Sequence, residues 1–185
     1  MGVGSLLKSS YLLYFSQPAT DRALFKLVKG KPIRSIVELG VGLGGRTERL
    51  LEVAAWQTEC LPLRYAGIDL FDSRPAGQSP LSLKQAFHDL RATGATIRLI
   101  PGDPLSALVR MANALTGTDL LIVSAGQESQ SLARAWKYVP RMIHPQSLVV
   151  QEAPGPAGKD TWRQLSPSDV ERLAMQAGKA LRRAA

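Results

Sequence analysis

The chain has 185 residues, 45% hydrophobic and 21% charged, which is the balance of a globular protein and enough chain to build one substantial core. No apolar run approaches the roughly 20 residues that span a bilayer, so no membrane partner is expected, and the single cysteine, Cys60, excludes an internal disulfide and any cysteine-cluster metal site. The formal charge of +8 attracts anions, whether nucleic acid, phosphorylated metabolites or acidic partners, but the basic residues are scattered with no Lys/Arg block interleaved with aromatics, so nucleic acid is weakly supported.

In chain order, residues 1–20, "MGVGSLLKSSYLLYFSQPAT", carry one basic residue, Lys8, and no small-residue cleavage site. A signal peptide is therefore not expected, and the cytoplasm is the expected compartment. Residues 1–31 read as two short helices broken near Pro18. The second has Thr20 or Asp21 as N-cap, Ala23, Leu24, Leu27 and Val28 at helical spacing, and Gly30 as a stop. From Ile33 onward, apolar strands at 35–39, 64–68, 96–100, 119–123 and 147–151 alternate with helical patterns near 45–56, 80–93, 104–115 and 127–142. Strands buried on both faces and joined by helices predict a doubly wound, mostly parallel α/β sheet. The tail "SPSDVERLAMQAG" begins with Ser166 as N-cap, Pro167 at the first helical position and Asp169 in the first turn, and stops at Gly178. The remnant "KALRRAA" has room for one short strand at most.

Ligands of such sheets bind at the carboxyl ends of the strands, near the point where strand order reverses. The first strand leaves through "SIVELGVGLGGRTERLLEVA", residues 35–54, where Gly40, Gly42 and Gly44 permit a sharp turn and a close approach to a ligand. The helix beyond offers unpaired N–H groups. Gly40, Gly42 and Gly45 satisfy a dinucleotide pattern, while Glu38, Gly40, Gly42 and Gly44 satisfy acid-x-Gly-x-Gly-x-Gly. Glu38 weighs between them. A pyrophosphate beside a buried carboxylate worsens its charge, a ligand with an amino group and a sulfonium improves it, and a local pair with Arg46 or Arg49 is the alternative. Asp69, after the second strand in "YAGIDLFD", suits both hydroxyls of a ribose, or caps the next turn. Asp103, in "LIPGDPLSAL", suits an adenine amino group beside Gly102, or simply N-caps the following helix.

In that order and spacing, "VELGVGLGG", "YAGIDLFD" and "IPGDPLSAL" resemble the first three motifs of the class I S-adenosylmethionine-dependent methyltransferases. The resemblance spans about residues 33–178, since "LSPSDVERLAMQAGKAL" is similar to that family's helix after the fifth strand. It implies a Rossmann-like methyltransferase fold with S-adenosylmethionine as cofactor. By position, Glu38, Gly40, Gly42 and Gly44 would surround the methionine part, Asp69 would hold the ribose and Asp103 would lie near the adenine. The expected layout is one domain over 1–185: a helical cap over the substrate side (1–31), the cofactor-binding core (32–154), then a loop and the C-terminal helix (155–185).

The layout is nearest to the small-molecule O-methyltransferase branch, with two departures. Where metal-dependent members carry an acid after the fourth strand, this chain has Ser124 and Ala125, and the fifth strand ends in Gln151 and Glu152. One acid is too few for a hard divalent ion, so no metal is expected. The Asn/Asp-Pro-Pro-aromatic motif of amino-group methyltransferases is absent as well, and no catalytic residue is assigned. Glu128 and Glu152 are reachable as bases from strand ends but read rather as solvated or helix-start residues, His88 and His144 read as structural or exposed, and Trp136, Tyr138 and Arg141 read as one amphipathic helix face. The second departure is a sheet shortened at the sixth and seventh strands, whose fifth-strand edge would be covered by the 155–165 loop, by the C-terminal helix, or by a homodimer partner. The function expected is S-adenosylmethionine binding with methyl transfer to an unidentified small-molecule acceptor. The alternatives are a non-catalytic binding or regulatory protein on the same fold, and a nicotinamide-dependent oxidoreductase. Glu38 and the lack of a Tyr-x-x-x-Lys pair argue against the latter.

Overall fold

The protein is described by a computed structural model at residues 11–56, 62–124, 126, 130–155 and 160–183. Lys8, Cys60, Ala125 and Glu128 lie outside the described residues. The five apolar runs form β1 (Ser35–Leu39), β2 (Arg64–Asp69), β3 (Thr96–Pro101), β4 (Thr118–Val123) and β5 (Ile143–Pro154). They pair in parallel in the order β3-β2-β1-β4-β5. Strand order therefore reverses between β1 and β4, which opens a crevice at their carboxyl ends.

Helices cover both faces, and strand alternation decides what each face receives. Val37 and Leu39 of β1 and Leu121 and Val123 of β4 join a core with Leu108, Trp136 and Val170. These come from α4 (Pro104–Met111), the 3₁₀ segment Trp136–Arg141 that continues α5 (Gln130–Ala135), and α6 (Pro167–Arg183). Ile36, Leu120 and Ile122 point the other way, into a core with Leu24, Leu50 and Leu90. Those residues belong to α1 (Ala19–Val28), α2 (Gly45–Ala55) and α3 (Leu83–Arg91). Glu38 shares the parity of Ile36, so its side chain is directed beneath α2.

Several boundaries differ from the sequence expectation. Residues 160–165, expected within a loop, form β6 (Asp160–Leu165), which pairs antiparallel with β5. The unpaired N–H and C=O groups along β5 supply what the short sequence "DTWRQL" does not announce by itself. The terminal antiparallel pair is thus reduced to a single strand among the described residues, and the C-terminal helix follows that strand. This helix does not stop at Gly178 but runs to Arg183, through Lys, Ala, Leu and Arg, which are all good helix formers. Its start is as expected: the Asp169 amide donates to Ser166 Oγ while the Ser166 amide donates to the Asp169 carboxylate, a reciprocal cap. The pattern at 127–142 divides into α5 and the 3₁₀ segment, which contains Pro140; proline cannot donate in a continuous α-helix. Asp21 is no cap. It is buried and pairs with Arg49 of α2 at 2.5 Å.

No helix among the described residues is long and apolar enough to cross a membrane.

Candidate functional site

A cavity of about 610 Å³ opens at the carboxyl ends of β1, β2, β3 and β4. One wall is the turn from β1 into α2, where Gly40, Gly42 and Gly44 adopt φ of 90°, 63° and 86°. This left-handed region is one that side-chain-bearing residues avoid, so three in five residues is a conformation that glycine makes affordable. Gly40 and Gly42 line the cavity; Gly44 instead precedes α2 as its N-cap residue. Gly45 begins the helix itself.

Glu38 does not line the cavity. It is fully buried, with Oε1 accepting from Arg46 at 2.9 Å and Oε2 accepting from the hydroxyls of Thr47 and Tyr65 at 2.7 Å each. This is the geometry of the local arginine pair. Burial and the neighbouring Glu38 carboxylate together push the Tyr65 hydroxyl well above its usual range. What faces the cavity at this point is Arg46, which also donates to Ser124 Oγ at 2.5 Å and Glu152 Oε2 at 3.1 Å and lies 5.1 Å from the Trp162 ring. Burial works against its charge, yet Glu38 and Glu152 more than offset that and raise its pKa.

Asp69 closes β2 and lines the cavity, 8% exposed. Its Oδ1 accepts from Arg74 Nε at 2.9 Å and the Phe71 amide at 3.2 Å, and its Oδ2 from Arg74 at 2.9 Å and the Val41 amide at 2.9 Å. Burial pushes this carboxyl up, but the bonds from Arg74 and the Phe71 backbone prevail and hold it below the usual carboxylate range. Phe71 reaches that position with φ of 48°, an unusual backbone for an aromatic residue, while its ring is buried with Val41, Leu81 and Ala86. Asp103 N-caps α4 through the amides of Leu105 and Ser106 and also accepts from Ser131. Burial raises its pKa, and the bonds from Ser106, Ser131 and the amides overcome this and bring it to about 2. The bonds from the amides of Leu105 and Ser106 and from the Ser131 hydroxyl all fall on Oδ1. Gly102, beside it, has φ of 136°, and a Cβ there would come within 2.9 Å of Ser106 Oγ.

The cavity thus gathers Gly40, Gly42, Asp69 and Asp103 and leaves Glu38 and Gly44 behind its wall. It adds Arg74, Ser131, Gln78 and Ser79, which the sequence reading did not single out, and Arg46, Ser124 and Glu152, which it weighed for other reasons. His144 lies at the opposite end of the sheet, 2.9 Å from Asp119, and His88 is exposed on α3. Trp136 is buried, and Arg141 lies over the Tyr138 ring at 5.8 Å. Among the described residues, no three His, Cys, Asp or Glu side chains cluster as metal ligands would.

No protein-family model and no curated protein sequence matches the chain. Solved structures do match its fold. Precorrin-6y C5,15-methyltransferase from Geobacter metallireducens matches with a TM-score of 0.52 at 11% identity, over 85% of this chain and 69% of that one. A TehB-like SAM-dependent methyltransferase from Corynebacterium glutamicum has a TM-score of 0.52 at 15% identity, over 94% and 80% of the two chains. The O-methyltransferase TomG from Streptomyces achromogenes, solved in complex with SAM, has a TM-score of 0.52 at 15% identity, over 98% and 78%. At these identities the likeness is one of fold: the chain has the Rossmann-like fold of the class I S-adenosylmethionine-dependent methyltransferases.

Proposed function

We propose that the protein binds S-adenosylmethionine in the cavity at the carboxyl ends of β1 to β4 and transfers its methyl group to a small-molecule acceptor. The observation that carries this reading is the cavity's position on a methyltransferase fold together with its charge. Among the described residues its lining holds three carboxylates, of Asp69, Asp103 and Glu152, against two guanidiniums, of Arg46 and Arg74. An acid majority suits a ligand whose sulfonium and ammonium outnumber its carboxylate, and it repels the pyrophosphate of a nicotinamide dinucleotide.

The residues fit such a ligand. Gly40 and Gly42 border the methionine side, where Arg46 is available to its carboxylate. Asp69 takes the ribose, and Asp103 with Gly102 borders the adenine. Glu38 serves this site through Arg46, which it positions. When bound, the cofactor supplies a methyl group that is already electrophilic, so the protein's own contribution is to align the acceptor and exclude water.

Thermal unfolding in the presence of S-adenosylmethionine, S-adenosylhomocysteine or NAD tests the reading. A ligand at about 100 times its dissociation constant stabilises by roughly 2.7 kcal/mol, an easily read shift. Stabilisation by the first two, lost in Asp69→Ala, is the expected result. Stabilisation by NAD alone, or by none of the three, overturns it. Formation of S-adenosylhomocysteine from the sulfonium in a pool of small metabolites tests the transfer step.

A further inference from the structure

The geometry points to Arg74 as a displaceable latch across the cofactor cavity: an incoming ribose has to take the Asp69 carboxylate away from it, so Arg74 sets the affinity and selectivity of the site. The inference rests on the S-adenosylmethionine reading above. An ionised carboxylate has about four lone-pair directions, and all of those at Asp69 are met within the protein, two by Arg74 and two by the amides of Val41 and Phe71. The amides are fixed by the turn after β1 and by the 3₁₀ segment Phe71–Ser73. Only the guanidinium can leave.

Arg74 ties three pieces of chain together. Beyond its two bonds to Asp69, it donates to the Gly42 carbonyl at 2.6 Å and to the Ser79 carbonyl at 2.7 Å. One side chain therefore joins the end of β2, the glycine turn and the segment leading to α3, and it does so on the inner wall of the cavity, only 8% exposed. Arg74 caps the 3₁₀ segment Phe71–Ser73, and the chain beyond it, residues 75–80, is all exposed and belongs to no helix or strand, so the side chain has room to swing outward. Displacement exchanges the forked ion pair for two ribose hydroxyl bonds and lets the guanidinium turn to water. The difference reduces ligand affinity in the wild-type protein, because the competent state is reached only after the latch opens.

The latch also discriminates. A ribose with free hydroxyls competes with Arg74 for Asp69. A ribose whose hydroxyls are blocked cannot replace the guanidinium on Asp69 and gains nothing from its removal.

Isothermal titration of S-adenosylhomocysteine into wild type, Arg74→Ala and Arg74→Lys tests this directly. Loss of a charge-assisted fork predicts binding about ten- to hundredfold tighter in Arg74→Ala, with a smaller gain in Arg74→Lys, whose ammonium keeps a charge but cannot fork. A second readout is the nitrogen-15 NMR signal of the Arg74 Nε–H, assigned by its absence in Arg74→Lys. It should lose its hydrogen-bonded position when S-adenosylhomocysteine is added to wild type. Equal or weaker binding by Arg74→Ala, or an Nε–H signal unchanged at saturation, overturns the latch while leaving cofactor binding intact. Absence of binding by all three folded proteins overturns the cofactor reading and the latch with it.

Discussion

Two carboxylate–arginine pairs stand within the same corner of the sheet, and they are built for different purposes. Glu38 and Arg46 are joined at 2.9 Å, and the carboxylate is wholly buried under α2 with Thr47 and Tyr65 completing its bonds. Arg46 comes from the first turn of that helix, so its backbone cannot swing away without unwinding it. Asp69 and Arg74 are also joined at 2.9 Å, but here the carboxylate faces a cavity and the arginine stands at the end of a single 3₁₀ turn, where the chain passes into an irregular, exposed segment. A similar ion-pair distance therefore describes a fixed anchor in one case and an exchangeable contact in the other. What separates them is the element that carries the cation and whether water or a ligand can replace it.

The contrast is sharpest under truncation of the buried acid. Glu38→Ala leaves the Arg46 charge without its main partner and two buried hydroxyls without an acceptor. Breaking a buried pair in this way costs about 3–5 kcal/mol, to be read from the urea midpoint. A loss below about 1 kcal/mol would mean that Glu38 is hydrated and free to meet a ligand, and the distinction between the pairs would fail. Tyr65→Phe comes next. It removes one hydroxyl bond to a charged acceptor and should cost about 1.5–3 kcal/mol, while leaving S-adenosylhomocysteine binding unchanged because Tyr65 does not reach the cavity. At the other pair, Arg74→Ala should lower stability by about 1–3 kcal/mol, the cost of removing one partner from a buried charged group, since Asp69, only 8% exposed, keeps its two backbone bonds.

Legibility in the sequence follows the same division. The strands could be read because a parallel sheet buried on both faces leaves uninterrupted apolar runs such as "DLLIV". The turn after β1 could be read because positive φ demands glycine. The direction of Glu38 was legible in principle, since Ile36 and Glu38 share a face by period-2 alternation and Arg46 and Thr47 open the helix above them. Arg74 was not. Nothing in "DLFDSRPAG" distinguishes an arginine folded back onto Asp69 from one turned to water, because that choice depends on the Gly42 and Ser79 carbonyls converging from separate segments. β6 was missed for a related reason: its hydrogen-bond partner is the open edge of β5, supplied by tertiary structure rather than by its own pattern.

The last expected effect concerns Asp103, which N-caps α4 through Oδ1 and lines the cavity. Its folded pKa of about 2 lies below the ordinary value of 3.8. Its charge therefore stabilises the fold fully above the unfolded value, and that stabilisation is lost as pH falls through about 2. Asparagine caps a helix about as well as aspartate, so Asp103→Asn isolates the charge from the cap. It should cost about 1–2.5 kcal/mol at pH 7, the upper end being the worth of a carboxylate whose pKa falls from 3.8 to about 2 on folding. Urea midpoints of wild type and variant should converge as the pH is lowered from 5 towards 2. A gap that stays constant over that range would mean that the carboxylate is no more acidic when folded than unfolded. The anchoring bonds to Oδ1 would then contribute nothing through charge.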